Sequence, residues 1–218
     1  MAQFILASGN RHKLAEFGRI LAPHRVVALP DGITLPPEKT VSFAENARDK
    51  AAVLAQGLAA STSVVASGPD LADPGSGPDV ICLADDSGLE VEALGWAPGV
   101  TSSRYAGREG DDQANIAKLL AALEGRADAG GRRARFVCAL DAVAADQRHF
   151  AVTGEWWGTI ATAPSGSGGF GYDPVFVPEG EMQTVAELAQ ARKDGLSHRA
   201  RAARALLERL HTEGVPGV

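Results

Sequence analysis

Two adjacent carboxylates, Asp85 and Asp86, directly follow the apolar run 80–84 and precede Ser87 and Gly88. An apolar run of this length that begins with β-branched residues favours a short buried strand. Successive strand side chains point to opposite faces, so the two acids can share one site only if the backbone leaves the extended conformation here, which Ser87 and Gly88 permit. We predict a strand end that carries a divalent-metal site. A polar turn is the alternative, because Asp, Ser and Gly are common turn residues.

A third acid, Glu45, lies in an alanine-rich segment that predicts a helix from residue 42 to about residues 57–60. Asn46 and Lys50 are four residues apart and share a helix face, and Glu45 lies about 100° around the axis from Asn46. The beginning of this helix can therefore present an acid, an amide and an ammonium to one site. Ser42 and Glu45 also match a capping box, which accounts for Glu45 without any metal.

An anion site is predicted near the N-terminus of the chain. Residues 3–7 form an apolar strand pattern, and an amphipathic helix pattern starts after Asn10, a good N-cap. The free amides and positive dipole end of a first helical turn attract anions, and Lys13 would add its ammonium there. The alternative is that Asn10 only caps the helix and that Lys13 is solvated. The segment lacks the P-loop pattern.

A second group of candidates lies near the end of the chain. The glycines at 166, 168 and 171 spell G-x-G-x-x-G, but residues 172–178 contain two prolines and favour a strand, whereas a dinucleotide-binding loop must open a helix. Phe170 and Tyr172 could instead close over a flat ring. His198 and Arg199 follow the predicted N-cap Ser197, where the helix dipole disfavours cations. They indicate a bound anion or acceptor, with a solvated helix start as the alternative.

Length and composition restrict the class of protein. A chain of 218 residues fits one domain, 1–218, in which the Pro-, Gly- and Ser-rich stretch 61–79 is predicted to be a mobile loop insertion. The net charge of −6 argues against nucleic-acid and membrane partners. No segment matches a signal peptide or a membrane span, so a cytoplasmic location is expected. Cys82 and Cys138 lack metal-ligand spacing and are expected to be buried thiols.

Taken together, the motifs resemble the inosine triphosphate pyrophosphatase family, which hydrolyses non-canonical purine nucleoside triphosphates to the monophosphate and pyrophosphate. The matching blocks are in the family's order and run from residue 8 to 199. They are Ser8-Gly9-Asn10 through Lys13, Ser42-Phe43-Ala44-Glu45-Asn46 with Lys50, Ala84-Asp85-Asp86-Ser87-Gly88-Leu89-Glu90-Val91, Pro98-Gly99-Val100 with Ser102, Arg104-Tyr105-Ala106-Gly107, Phe170-Gly171-Tyr172-Asp173-Pro174, and Lys193 with Ser197-His198-Arg199.

The resemblance implies a role for each matching residue. Mg²⁺ is bound through Glu45, Asp85 and Asp86, and Asp86 accepts the proton of the attacking water. Ser87 contacts the substrate, and Lys50 braces the phosphates. The triphosphate is held by Ser8, Gly9, Asn10, Arg11, His12 and Lys13. The base is walled by Phe170, Gly171, Tyr172 and Asp173, and a purine with a 6-oxo group is selected by Lys193, His198 and Arg199.

The resemblance also implies a fold and an assembly. The family has an elongated two-lobed α/β structure around a long mixed β-sheet with flanking helices, with the active-site cleft between the lobes, and is usually a homodimer. Two other functions remain as alternatives. A nucleotide-binding module without turnover would need no base, and an NAD-type oxidoreductase would need a helix after the 166–171 glycines.

Overall fold

The computed structural model describes residues 1–65, 80–126 and 130–218. Eleven α-helices and β-strands are formed by these parts of the chain. In chain order they are β1 (Gln3–Leu6), α1 (Arg11–Ile20), β2 (Arg25–Val27), α2 (Phe43–Val65), β3 (Val80–Val91), α3 (Asp112–Ala122), β4 (Arg133–Val143), β5 (His149–Ile160), β6 (Phe176–Pro178), α4 (Gln190–Leu196) and α5 (His198–Thr212).

The strands form one mixed sheet in the order β2-β1-β3-β4-β5-β6. Strand β1 is parallel to both β2 and β3, with Phe4 paired to Val26 and to Ile81, whereas β5 and β6 are antiparallel. Residues 135–143 and 148–155 alternate between apolar and polar on either side of 144–147, a pattern that predicts a hairpin. The hairpin is confirmed, since the Ala144 amide donates to the Arg148 carbonyl across the turn. The structure is therefore an α/β fold with a mixed sheet, as predicted.

The chain divides into two compact units. Unit 1 comprises Met1–Asp86, Ala139–Thr153 and Ala202–Val218, and unit 2 comprises Ser87–Cys138 and Gly154–Arg201. The core of unit 1 includes Ile5, Ala51, Leu54, Cys82, Ala84 and Val143. The core of unit 2 includes Leu89, Ile116, Leu119, Phe136, Trp156 and Phe176. That residues 1–218 form a single domain with an elongated, two-lobed shape stays a prediction.

Strand β3 does not end at the acidic pair, which corrects the first prediction. It continues through Asp85, Asp86, Ser87 and Gly88 to Val91, and nine of its twelve residues are buried. The polar residues 85–88 keep extended backbone because they pair within the sheet, and a sheet environment overrides turn propensity. The two carboxylates therefore alternate between faces instead of turning to one site.

Helix α2 is longer than predicted, because it continues past Gly57 to Val65. The Ser61 hydroxyl donates to the Gly57 carbonyl at 2.9 Å, which satisfies a polar side chain that would otherwise favour a loop. Gly57 itself lies so close to Ile33 that an added Cβ would come within 2.8 Å of its Cδ1. Residues 61–65 are thus helical, and the remainder of the predicted loop, 66–79, lies outside the described residues.

Smaller boundaries also differ near the end of the chain. Residues 172–175 form turns, and β6 begins only at Phe176. The sequence pattern also predicts a short helix over 187–192. The structure has a 3₁₀ turn at Val185–Glu187 and then α4, which begins at Gln190. The N-caps predicted at Asn10 and Ser197 are confirmed, since Asn10 caps α1 and the Ser197 hydroxyl accepts from the Ala200 amide at the start of α5. For α3 the sequence predicts Asp111 or Asp112 as the cap, and Asp111 is the residue that caps it. Among the described residues, no helix is long and apolar enough to cross a bilayer.

Candidate functional site

Asp86 lies on the face of β3 that packs against α2. It is an even number of residues from Cys82 and Ala84, which share a core cluster with Ala51 and Leu54 of α2. Asp85 consequently points to the opposite face. Both carboxylates are nearly inaccessible to solvent, at 1% for Asp85 and 4% for Asp86. Buried acids need partners, and each of these two has a different set.

The partners of Asp86 come from α2. The Asn46 amide donates to Asp86 Oδ2 at 2.8 Å, and the Lys50 ammonium lies 3.4 Å from Asp86 Oδ1. Lys50 Nζ also donates to the Asp85 backbone oxygen at 3.1 Å and to Glu38 Oε1 at 2.7 Å. The ammonium is thus closer to Glu38 than to Asp86, and its contact with Asp86 is longer than a good charge-assisted hydrogen bond.

This geometry explains why the pKa of Asp86 is raised. Burial raises the pKa of Asp86 to about 6, and the attraction of Lys50 does not offset that cost. The negative charge of Glu38 raises the Asp86 pKa further, whereas the Asn46 hydrogen bond and Lys13 lower it. Burial lowers the pKa of Lys50, but Asp86 and Glu38 outweigh burial, so the Lys50 pKa is raised overall and the ammonium stays charged at neutral pH.

The start of α1 supplies the second polar cluster of unit 1. Asn10 Oδ1 accepts from the amides of His12 at 2.9 Å and Lys13 at 3.3 Å, and the Ser8 hydroxyl accepts from the Asn10 amide. The ammonium of Lys13 forms an ion pair of 2.9 Å with Asp85. Gly9, Arg11 and His12 are exposed. Two of the amides predicted to bind an anion are therefore capped by Asn10, and Lys13 neutralises Asp85.

Glu45 lies exposed in the first turn of α2, where its amide donates to the Ser42 hydroxyl at 3.1 Å. Within the described ranges, no three His, Cys, Asp or Glu side chains are gathered closely enough to hold a metal ion by themselves. Glu45, Asp85 and Asp86 are therefore not arranged as a complete protein cage, so any divalent ion here would need oxygen ligands from elsewhere.

Unit 2 gathers the candidate residues from the end of the chain. Lys193 is 5% exposed and forms a 2.7 Å ion pair with Asp173, and the same Asp173 oxygen accepts from the Phe170 amide. Lys193 Nζ lies 4.9 Å from the Phe170 ring centroid, and the Arg199 guanidinium lies 5.2 Å from it. Arg199 donates to the Ser87 hydroxyl at 2.6 Å. Five predicted site residues thus form one contact network around Phe170.

His198 and Tyr172 pack more deeply in unit 2. The His198 ring stacks on Phe136 with centroids 4.8 Å apart. The Tyr172 hydroxyl donates to the Ser102 carbonyl at 2.9 Å, and burial raises the pKa of that hydroxyl. The Gly171 amide donates to the Asp112 carboxylate at 2.7 Å. Tyr172 and Gly171 thus help to fix the loop that presents Phe170.

The glycine-rich loop has a structural explanation. Gly169 has φ +74°, and an added Cβ would collide with the carboxylate of Asp173. At Gly166, with φ +79°, an added Cβ would meet the backbone of Ala186. Residues 171–175 that follow form turns and not a helix, which removes the structural basis for a dinucleotide-binding motif.

Two residues that the sequence did not single out belong to these networks. Glu38 takes the shortest contact with Lys50, and Asp112 holds the Gly171 amide. Glu38 follows two prolines in a segment without hydrophobic periodicity, so no sequence pattern indicated a function for it. Asp112 matched only the acidic residue that is typical of a helix start. Asn46 was expected to share a face with Lys50, and the structure adds its contact with Asp86.

The chain is similar to a known protein family along most of its length. The model of the Ham1 family matches residues 4–209. The chain is 44% identical over 221 residues to a dITP/XTP pyrophosphatase of Mycobacterium tuberculosis, and the alignment covers 97% of each chain. It is 42% identical over 208 residues to a dITP/XTP pyrophosphatase of Methylacidiphilum infernorum, which covers 94% of this chain and 93% of that one.

Solved structures show the same relationship. The Ham1 protein of Staphylococcus aureus superposes with a TM-score of 0.76 at 34% identity, covering 97% of this chain and 99% of that one. The Ham1 protein of Coxiella burnetii superposes with a TM-score of 0.74 at 35% identity, covering 98% of this chain and 100% of that one. The family model covers nearly the whole chain and includes all of the motifs from residue 8 to 199. This chain therefore belongs to the Ham1 family.

Proposed function

We propose that this protein is a nucleoside triphosphate pyrophosphatase that hydrolyses non-canonical purine nucleoside triphosphates, dITP, ITP and XTP, to the monophosphate and pyrophosphate. The observation that carries the proposal is Asp86, a buried carboxylate held by Asn46 and flanked by the Lys50 ammonium. Relatives that share over 40% identity along their length are named dITP/XTP pyrophosphatases.

The residues of unit 1 suit a polyphosphate. Lys13 and Lys50 place two ammonium groups beside Asp85 and Asp86, and the helix dipole of α1 adds positive potential at its N-terminus. In the proposal Ser8, Gly9, Asn10, Arg11, His12 and Lys13 bind the triphosphate and Lys50 braces it. A phosphate bound here would compete with the Asp85 carboxylate for the Lys13 ammonium.

The same residues fit Mg²⁺ in chemistry. Mg²⁺ prefers oxygen ligands and is usually held by one or two carboxylates together with water and substrate phosphates, so a complete protein cage is not required. In the proposal Asp85, Asp86 and Glu45 provide the carboxylates. Bound Mg²⁺ supplies charge neutralisation on the phosphates and makes water easier to deprotonate.

Asp86 is the proposed proton acceptor. Water attacks the α-phosphorus, the bond to the bridging oxygen of the β-phosphate breaks, and pyrophosphate leaves. The proton of the water passes to the Asp86 carboxylate. In the metal-free protein, burial raises the pKa of this carboxylate to about 6, so it is a stronger base than an exposed Asp and is still ionised at neutral pH. Asn46 orients this carboxylate by donating to Oδ2.

Unit 2 is the proposed base-recognition part. Phe170 offers an aromatic ring, and Lys193, His198 and Arg199 offer donors that suit the acceptor oxygen at position 6 of hypoxanthine and xanthine. The proposed base-recognition residues also include Ser87, Gly171, Tyr172 and Asp173. Adenine presents an amino donor there, and an unpaired buried donor costs about 1–3 kcal/mol, or about 5- to 150-fold in kcat/KM.

A substrate panel tests the proposal. Pyrophosphate release is measured with dITP, ITP, XTP, dATP and dGTP, each with Mg²⁺ and with EDTA. We expect rapid release from the first three with Mg²⁺ only, and at least fivefold lower kcat/KM with dATP. Binding of dITP without any release would favour a nucleotide-binding module, and equal rates with all five substrates would contradict the proposed base selection.

We propose further that the protein is a cytoplasmic homodimer with no nucleic-acid or membrane partner. The family resemblance supports the dimer, and the net charge of −6 supports the absence of nucleic-acid and membrane partners. Light scattering of the purified protein over a range of concentrations tests the dimer, and a constant monomeric mass would contradict it.

A further inference from the structure

The ring of Phe170 lies near the end of an irregular segment. Residues 161–175 join β5 to β6 without forming a helix or a strand, and residues 162–169 are exposed to solvent. In such a segment the backbone amides lack the regular partners of a sheet, so other groups must accept from them. The groups that accept from the amides around Phe170 therefore help to decide where its ring lies.

The amides of Phe170 and Gly171 each donate to a carboxylate. Phe170 donates to Asp173 Oδ2 at 2.9 Å, and Gly171 donates to Asp112 Oδ2 at 2.7 Å. Asp173 belongs to the same segment and is paired with Lys193, whereas Asp112 is the first residue of α3. Through Asp112 the segment is thus attached to a separate element of unit 2.

Helix α3 is a well-anchored support for this carboxylate. Ile116 and Leu119 lie in the core of unit 2, and the Asp111 side chain caps the first turn. The dipole of the helix favours a negative charge in this turn. The Asp112 carboxylate is therefore placed by the helix that carries it, and this helix does not depend on the segment 161–175 for its own first-turn cap.

From this geometry we propose that Asp112 is a positioning residue for recognition of the purine base. It holds the Gly171 amide and thereby the ring of Phe170. That ring lies 4.9 Å from the Lys193 ammonium and 5.2 Å from the Arg199 guanidinium, which are proposed to donate to the 6-oxo group. Asp112 acts through Gly171 and does not itself touch the base. The inference rests on the proposed function.

Steady-state kinetics of Asp112→Ala with dITP and Mg²⁺ test the proposal, with Asp111→Ala as the matched control. Both variants remove a half-buried carboxylate from the start of α3, but Asp111 caps the helix whereas Asp112 accepts from Gly171. We expect Asp112→Ala to raise KM about 5- to 50-fold, because the segment loses a charge-assisted hydrogen bond. Its kcat should stay within about threefold, since the interaction that is lost serves binding of the base. Asp111→Ala should change KM by less than about threefold.

The conservative variant Asp112→Asn distinguishes positioning from a general effect on the helix. It keeps an acceptor oxygen, so its KM should lie within about threefold of wild type. An equal rise of KM in Asp111→Ala or in Asp112→Asn overturns the proposal, as does a wild-type KM in Asp112→Ala or a loss confined to kcat. If Asp112→Ala does not fold, Asp112→Ser, whose side chain is shorter, gives the same comparison.

Hydrogen exchange tests the contact without any substrate. In Asp112→Ala the Gly171 amide should exchange at least about fivefold faster than in wild type, because its acceptor is gone. In Asp111→Ala the additional exchange should be confined to the first turn of α3. Mass spectrometry of peptides that cover residues 168–174 measures the difference. Unchanged exchange of Gly171 in folded Asp112→Ala would contradict the proposed role.

The wild-type enzyme separates the two levels of inference. If wild type releases no pyrophosphate from any purine triphosphate, the proposed function fails, whatever the exchange of Gly171. If wild type is active but Asp112→Ala behaves like Asp111→Ala, only the role of Asp112 fails.

Discussion

Asp86 combines burial with incomplete pairing. Its carboxylate is enclosed by β3 and α2. Among the described residues the Asn46 amide is its closest donor, and the Lys50 ammonium lies closer to Glu38 than to Asp86. Burial of this kind raises the free energy of the ionised carboxylate in the substrate-free protein. Groups with such a shifted pKa are common among catalytic bases. Two consequences can be measured, one in turnover and one in stability.

We expect Asp86→Asn to lower kcat for dITP by about 100- to 10,000-fold, which is the usual contribution of a well-placed general base. The amide keeps an acceptor for Asn46, and Lys50 keeps Glu38 and the Asp85 carbonyl, so the fold should be retained. Steady-state kinetics and circular dichroism check both statements. Near-wild-type turnover in a folded Asp86→Asn protein would remove Asp86 from the mechanism.

The stability of wild type relative to Asp86→Asn should depend on pH. The Asp86 pKa is raised from 3.8 to about 6 on folding, so ionisation of this acid destabilises the folded protein fully above pH 6 and progressively less as pH falls toward 3.8. When the pH is lowered from 7.5 to 5, the free energy of unfolding of wild type should rise by roughly 1 kcal/mol relative to that of Asp86→Asn. Urea unfolding in EDTA without substrate measures this, and a gain for wild type as pH rises would contradict it.

At the level of elements, Arg132 joins the end of α3 to the end of β5. Its guanidinium donates to the carbonyls of Leu123 and Arg126 after α3, and to those of Ile160 and Ala161 at the end of β5. The last carbonyls of a helix and those at the end of a strand lack regular backbone partners. The planar guanidinium has several N–H donors and can hydrogen-bond to all of these carbonyls at once. The side chain is 6% exposed, so water cannot replace it.

We therefore expect Arg132→Lys to reduce the free energy of unfolding by about 2–4 kcal/mol, because a lysine ammonium cannot reach both element ends and leaves buried carbonyls unpaired. Arg133→Lys, at the neighbouring exposed position, should change it by less than about 1 kcal/mol. Urea unfolding of both variants tests the difference, and equal stabilities would show that Arg132 does not join these ends.

At the level of the whole molecule, both thiols are placed in the cores. Cys82 lies in the core of unit 1, Cys138 is fully buried in β4, and neither forms a disulfide. Burial raises the pKa of the Cys82 thiol to about 11, because a thiolate would be desolvated there. The sequence expectation of buried free thiols is thus confirmed.

The folded protein should consequently resist thiol reagents. At pH 8 we expect less than about a tenth of one thiol per chain to react with 5,5′-dithiobis(2-nitrobenzoic acid) within minutes, since the reactive species is the thiolate and both sulfurs are covered. In urea both cysteines of the chain should react. Rapid reaction of either thiol in the native protein would show that its core opens readily.

Local patterns were sufficient for much of the molecule. The apolar alternation at residues 135–143, the caps Asn10, Asp111 and Ser197, and the order of the motifs each depend on neighbouring residues, so the sequence alone determined most elements, the α/β class and the family. Helix ends near Gly57 and strand ends near Asp85 were misplaced, because turn propensity is local whereas sheet pairing and contact with Ile33 are not.

Only the tertiary structure decided how the charges are shared. Sequence spacing put Asn46 and Lys50 on one face, but it could not show that Glu38, twelve residues before Lys50, takes the closer contact with the ammonium. Nor could it show that Asp85 and Asp86 lie on opposite faces of an unbroken strand. Electrostatic pairing depends on ångström-scale distances between segments that are far apart in the chain, and those distances are set by packing and not by sequence pattern.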